Sequence, residues 1–498
     1  MDLLSARSAH ARISQKERQV EFNPEPQETC TMTNLRHARE TPSWLPKSVL
    51  YQLYLRAFTP EGTLRAATAR LAELAELGID ILYLCPVCLH DDDPREQFWS
   101  PRQRASGCGN PKNPYRMKDY FTVDPEYGTE ADLHEFIDVA HKLGMRVLLD
   151  IVFLHCGPAA VFLDEHPDFV ERDDHGNIKP AAWGFPLLNF DCQELREYLW
   201  RNIEYWITDF GVDGYRCDVS ASVPLDFWEE ARRRLEAIAP EVVMLAESHR
   251  PEEQLFAFDC SYSFAQTETL YRIMQGEAPA YAFRGEWEAA KDGWPSEDTH
   301  TRFYVPERPN YLSIRGTWPQ GSRFLRYTDN HDLAHDHPER LERLWGPAAV
   351  KATLALTFTL DGIPMLYNGQ EVADAARHSI YAKWPIDWAN GEQPVGRERR
   401  EFCRRLCALR HSEPALCLGD LRWLDNDQPE KVLSFIRTYA GRSILAVVSL
   451  ADHPVQVSLS LPEPVSVLKP LLTEHVVLRA QDGKWSAATD PFGFFVGV

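Results

Sequence analysis

ELREYLWRNIEYWITDFG (194–211) runs straight into VDGYRCD (212–218), and PLDFWEEARRRLEAIA (224–239) leads into EVVMLAE (241–247). Each pair is an amphipathic stretch of helical period followed by a short apolar run, the signature of a helix feeding a buried strand. Two successive units of this kind point to parallel strands with crossover helices.

The same alternation extends in both directions. Upstream, VLYQLY (49–54), IDILYL (79–84) and MRVLLDIVF (145–153) read as strands, with TLRAATARLAELAELG (63–78) and ADLHEFIDVAHKLG (131–144) as helices. Downstream, AFDCSY (257–262), RFLRYTD (323–329) and IPMLYN (363–368) complete a set of eight strands. The expected fold is α/β: a (β/α)8 TIM barrel with a short loop domain after the third strand and a C-terminal antiparallel β-sandwich. An open doubly wound sheet is the alternative, but no Gly-rich dinucleotide fingerprint follows the first strand. The pattern changes to period two in KVLSFIRTY (431–439), SILAVVSL (443–450), VQVSLSL (455–461) and GFFVGV (493–498). The expected division is a flexible extension at 1–43, a catalytic barrel at 44–415 with an inserted loop at 155–190, and a sandwich at 416–498. The connections 85–120 and 155–192 are long for a barrel, and loops of that length are usually functional.

Composition narrows the chemistry. The chain has 498 residues, 53 Lys and Arg against 74 Asp and Glu, and a net charge of −21. That field opposes phosphate backbones and anionic lipid, so no nucleic-acid or membrane partner is expected. A neutral small molecule is compatible with it. No apolar run spans a bilayer, and MDLLSARSAHARISQKERQ (1–19) lacks the apolar centre of a secretory signal. Eleven scattered cysteines read as reduced thiols, so a cytoplasmic location is expected. The CPVC pair, Cys85 and Cys88, reads as structural, and Cys217 as packing.

Carboxylates end three strand regions: Asp218, Glu247 and Asp332. A parallel barrel brings all strand C-termini to one mouth, so the three acids meet. Each alone is also explained as a cap for the next helix. Arg216 and Asp218 alternate onto one face. The expectation is that Arg216 lowers the Asp218 pKa and keeps it ionised, while partial burial raises Glu247. One ionised and one protonated carboxyl is the arrangement for cleaving a glycosidic bond with retention. His155 and His331 are placed to hydrogen-bond hydroxyls, and no HxxxH or HExxH spacing signals a metal.

These segments resemble the α-amylase family of retaining glycoside hydrolases (glycoside hydrolase family 13) from about Ser48 to the C-terminus. The resemblance rests on YQLYLRAF (51–58), NPYRMKDYFTVDPEYGT (113–129), DIVFLH (150–155), GYRCD (214–218), LAE (245–247), YTDNHD (327–332) and GIPMLYNGQE (362–371). It implies Asp218 as nucleophile, Glu247 as acid/base and Asp332 as the third, substrate-binding acid. It implies further that Arg216 supports the nucleophile, that Asp150 supports Arg216, and that His155, His331 and Tyr115 bind the sugar at the scissile bond.

The departures matter too. Leu154 and Leu188 stand where many α-amylases place calcium ligands, and leucine offers no oxygen, so no metal or other cofactor is expected. DVSAS (218–222) lacks the Lys-His of many α-amylases, and Arg116 replaces the Asp of many exo-acting α-glucosidases. The expected activity is hydrolysis of short α-glucans or malto-oligosaccharides. Transglycosylation or isomerisation of an α-glucosyl disaccharide by the same residues stays open, as does a non-catalytic carbohydrate-binding relative. Trp423 and Trp485 are the visible candidates for starch binding in the sandwich, and both also read as core.

Overall fold

The computed structural model describes residues 37–180, 183–291, 318–461, 468–481 and 484–498. Most of the expected N-terminal extension, residues 1–36, lies outside the described residues. Eight parallel strands close a barrel: β1 (Leu50–Leu53), β2 (Ile81–Leu84), β3 (Arg146–Ile151), β4 (Gly214–Cys217), β5 (Val243–Ala246), β6 (Cys260–Tyr262), β7 (Phe324–Arg326) and β8 (Ile363–Tyr367). They pair in sequence order, and β8 closes on β1 with Leu50 opposite Met365. This is a (β/α)8 TIM barrel.

Strands buried on both faces account for the continuous apolar runs. One face of each strand fills the barrel interior and the other meets the helices. Leu82, Leu84, Val147 and Leu149 belong to the helix-facing core. Ile81, Tyr83, Leu148, Leu245 and Met365 belong to the interior cluster. Gly214 lets β4 pass close to β5: a Cβ there would stand 2.0 Å from the Val243 carbonyl oxygen, and its φ is +151°.

The 85–120 connection holds an antiparallel pair, Cys88–His90 with Met117–Val123, and a short helix, Pro101–Ala105. Cys85 and Cys88 are both buried, and neither forms a disulfide. After β3, the insertion is tied back by a His155–Leu187 bridge and a Val170–Leu188 bridge.

The C-terminal strands form one six-stranded antiparallel sheet. Its last strand, Lys484–Gly497, pairs through Phe494–Gly497 with Arg442–Ser449 and through Trp485–Thr489 with Val455–Leu459. The sheet therefore turns over on itself, and Leu445, Val447 and Phe495 pack against Val455, Val457 and Trp485. The alternate residues Ile444, Ala446 and Val448 join the core shared with the barrel helices. Trp423 and Trp485 are both buried core residues.

Candidate active site

The barrel ladder runs on past the strand ends into the acids. The Asp218 backbone N–H donates to the Ile151 carbonyl at 2.9 Å, and that of Glu247 to the Cys217 carbonyl at 3.1 Å. Arg216 lies opposite Asp150 in the β3–β4 register and is fully buried. Its Nη1 donates to Asp150 Oδ1 at 2.7 Å and to Asp218 Oδ1 at 2.9 Å. Its Nη2 lies 2.7 Å from Glu247 Oε1 as an ion pair, without the alignment of a hydrogen bond. One guanidinium thus serves three carboxyls.

That sharing corrects one expectation. Burial raises the Asp218 pKa well above the usual carboxylate range; Arg216 opposes it, while the Glu247 and Asp150 charges add to it. Glu247 and Asp150 are likewise raised by burial against Arg216. A cation divided among three buried acids cannot hold one of them far below its ordinary value.

Asp332 sits in the first turn of the helix His331–Asp336. Capping there is done by Asn330, whose side-chain oxygen accepts from the Leu333 N–H at 2.8 Å, so Asp332 is left to face the mouth. Arg102, from the Pro101–Ala105 helix, donates to Asp332 Oδ1 at 2.6 Å, to the Asp332 carbonyl at 2.9 Å and to Asp336 Oδ1 at 2.6 Å. Burial raises Asp332, but the His331 ring and the Arg102 guanidinium outweigh it and hold the carboxyl well below its usual range. Sequence reasoning missed Arg102, which lies on a short helix within the 85–120 connection, far along the chain from Asp332.

Tyr115 and His331 stack with ring centroids 5.2 Å apart. The Tyr115 hydroxyl donates to Asp150 Oδ2 at 3.0 Å and lies 2.6 Å from His331 Nε2. Tyr83 also donates to Asp150 Oδ2, at 2.8 Å. Gln52 on β1 orients His331: its amide nitrogen is 2.7 Å from Nδ1, and its Oε1 accepts the His331 backbone N–H at 3.1 Å. With Nδ1 accepting from Gln52, Nε2 carries the proton and donates to Tyr115. Burial pushes His331 down to about 4, so the ring is neutral at pH 7. Sequence reasoning gave no role to Gln52, although it lies in the YQLYLRAF segment, or to Tyr83 on β2.

His155 is buried, its Nε2 donates to the Tyr115 carbonyl at 2.8 Å, and its ring packs on Trp183 and Phe185. Burial pushes it down to about 4 as well. Arg116 is fully buried and donates to the carbonyls of Phe98, Asp93 and Pro111, which fastens the 85–120 connection. Leu154 and Leu188 are both buried, joined by a backbone hydrogen bond of 3.1 Å. Among the described residues, no group of three or more His, Cys, Asp and Glu is placed to hold a metal ion. Cys217 is buried on the face away from the acids.

A closed parallel barrel with four carboxyls, two arginines and neutral imidazoles at the C-terminal end of its strands is the layout of a barrel glycoside hydrolase. Comparison with known proteins narrows it. Residues 33–180 match the alpha amylase catalytic domain family. The chain is 27% identical over 445 residues to alpha-amylase MalA of Haloarcula japonica, covering 85% of this chain and 58% of that protein. It is 25% identical to neopullulanase 2 of Thermoactinomyces vulgaris, covering 85% of this chain and 72% of that one. Among solved structures, an alpha-amylase from Lactobacillus plantarum superposes with a TM-score of 0.73 at 25% identity, over 92% of this chain and 100% of the other. A maltogenic alpha-amylase, AmyB from Thermotoga neapolitana, gives a TM-score of 0.75 at 23% identity, over 91% and 99%. On these matches the chain is similar to members of the α-amylase family of glycoside hydrolases.

Proposed function

We propose that this protein cleaves α-glucosidic bonds of short α-glucans or malto-oligosaccharides with retention, by double displacement. The observation that carries the reading is the single buried Arg216 joining Asp150, Asp218 and Glu247, with Asp332 on the helix that follows β7. Carboxyls on two nitrogens of one guanidinium suit the short spacing of a retaining pair, about 5–5.5 Å, better than the roughly 6.5–9.5 Å of an inverting pair.

In this reading Asp218 attacks the anomeric carbon while Glu247 gives its proton to the leaving oxygen. The bond between carbon and leaving oxygen breaks as the Asp218 ester forms. Glu247, now ionised, takes a proton from water, which cleaves the ester and restores both groups. Asp218 and Glu247 titrate as a pair, and the reactive form carries its proton on Glu247. Asp332, held ionised beside Arg102, accepts hydroxyls of the bound sugar. His331, His155 and Tyr115 line the same subsite. Neutral imidazoles there do not oppose the positive charge that develops on the ring.

We also infer that residues 44–415 act as the catalytic unit, that 155–190 walls the cleft, and that 416–498 serves the barrel structurally. No helix among the described residues is long and apolar enough to cross a membrane. Similarity to the intracellular maltogenic amylase of Bacillus subtilis, at 24% identity, supports a cytoplasmic location.

The test is incubation of wild type and Asp218→Ala with maltotriose, maltose, isomaltose, trehalose and sucrose, with products separated over time. Smaller products, absent with the variant, are expected. Longer or isomeric products move the reading to a transferase or isomerase with the same residues. Sugar binding without turnover makes the protein a non-catalytic relative.

A further inference from the structure

Val219, directly after Asp218, has φ +43° and ψ +42°. A β-branched residue in the left-handed region is strained and persists only where its surroundings force it. The conformation aims the Val219 N–H at Glu247 Oε2, 2.8 Å away. A backbone donor at that distance favours the ionised carboxyl and fixes its orientation.

Three contacts hold the turn that follows. The Ser220 hydroxyl donates to Glu253 Oε2 at 3.2 Å, Trp228 Nε1 donates to the Ser220 carbonyl at 3.1 Å, and Arg250 Nη1 donates to the Ala221 carbonyl at 2.9 Å. Glu253 is fully buried, and Ser248, the residue after Glu247, is its second hydroxyl neighbour. One buried carboxyl thus touches the loop behind Asp218 and the loop behind Glu247. Burial pushes it up to about 8, so at neutral pH it is mostly a neutral acid that adds little charge behind the site.

We propose that Glu253 is a positioning residue, which acts on Glu247 by holding the Val219–Ser220 turn in its left-handed conformation. The role of Glu247 as acid/base rests on the function proposed above; the brace itself does not. The charged groups facing Glu247 are Arg216, Asp332 and Asp150, with Asp218 beside it. Those facing Glu253 are Arg250 and Glu252, with the Cys217 thiol close by. Loss of the brace lets Val219 relax, removes its N–H from Glu247 and raises the pKa of that acid.

The experiment compares wild type, Glu253→Ala, Glu253→Gln and Glu253→Ala in a Val219→Gly background. Amide hydrogen exchange of the 218–223 segment tests the brace whether or not a sugar turns over. Glu253→Ala is expected to speed that exchange about tenfold or more while leaving the barrel strands protected. With maltotriose, kcat is expected to fall about tenfold, and the alkaline limb of kcat/KM to move up by about half to one pH unit. Glu253→Gln restores most of both, because its amide oxygen still accepts from Ser220. In the Val219→Gly background, where glycine adopts the turn without strain, Glu253→Ala costs less. Unchanged exchange in Glu253→Ala overturns the proposal, as does a Gln variant that exchanges as fast as the Ala variant. If Glu253→Ala does not fold, Ser220→Ala replaces it with the same expected directions. A wild type without turnover refutes the activity reading alone, since the exchange result still decides the brace.

Discussion

Arg216→Met isolates the cation at the centre of the site. It replaces a fully buried guanidinium, within 2.7–2.9 Å of three carboxyl groups, by an apolar side chain of similar length. Removing one partner of a buried ion pair typically destabilises by about 3–5 kcal/mol, because the other charge is left uncompensated. Here the remaining acids escape part of that loss by taking up protons.

The sign follows from their pKa values. Asp150, Asp218 and Glu247 are already raised by burial with Arg216 opposing, so its loss raises all three further. An acid raised above its unfolded value contributes fully below that value and loses its contribution as pH rises through the folded one. The Arg216→Met deficit is therefore largest at pH 8 and shrinks below pH 5. Urea unfolding at the two pH values measures it, with the midpoint compared at constant slope. A deficit below about 1 kcal/mol at pH 8, or one that grows as pH falls, would refute the reasoning.

Three further outcomes are expected. Arg102→Gln removes a cation that keeps Asp332 below its usual range; such an acid loses its ionised form as pH falls, so the acid limb of kcat on maltotriose moves upward, and an unmoved limb tells against the pair. Gly214→Ala drives a Cβ into the Val243 carbonyl, so it costs about 3 kcal/mol or more and lowers Tm by several degrees; a wild-type melt contradicts the close β4–β5 approach. Chelation with EDTA is expected to leave both Tm and activity unchanged, because the buried Leu154 and Leu188 offer no side-chain oxygen to a cation; a drop in either would reveal a metal.

The barrel was legible because buried parallel strands are continuous apolar runs and helices carry a 3.6-residue period. The meeting of Arg216, Asp218 and Glu247 was legible for the same reason, since alternation and parallel register place strand ends together. Contacts from the long 85–120 connection, whose one α-helix is a single short turn, left no periodic trace. Arg102 reaches Asp332 across 230 residues, and Arg116 turns inward to clamp its own loop. Nor does sequence weigh burial against one shared cation, so the raised Asp218 ran against expectation. The left-handed turn at Val219 was hidden because valine seldom adopts it. In the C-terminal region, alternation marked the strands, but the long strand serving both halves of the sheet needed the pairing itself.

The central claim is that Asp218 forms a covalent ester with the sugar. The direct measurement is to trap that ester with a slow α-glucosyl fluoride substrate and locate it by peptide mass spectrometry, while following product anomeric configuration by NMR. The account predicts one glycosyl adduct on Asp218, absent from Asp218→Ala, and an initial product with the α configuration. An adduct on another residue, or an initial β product, would contradict it.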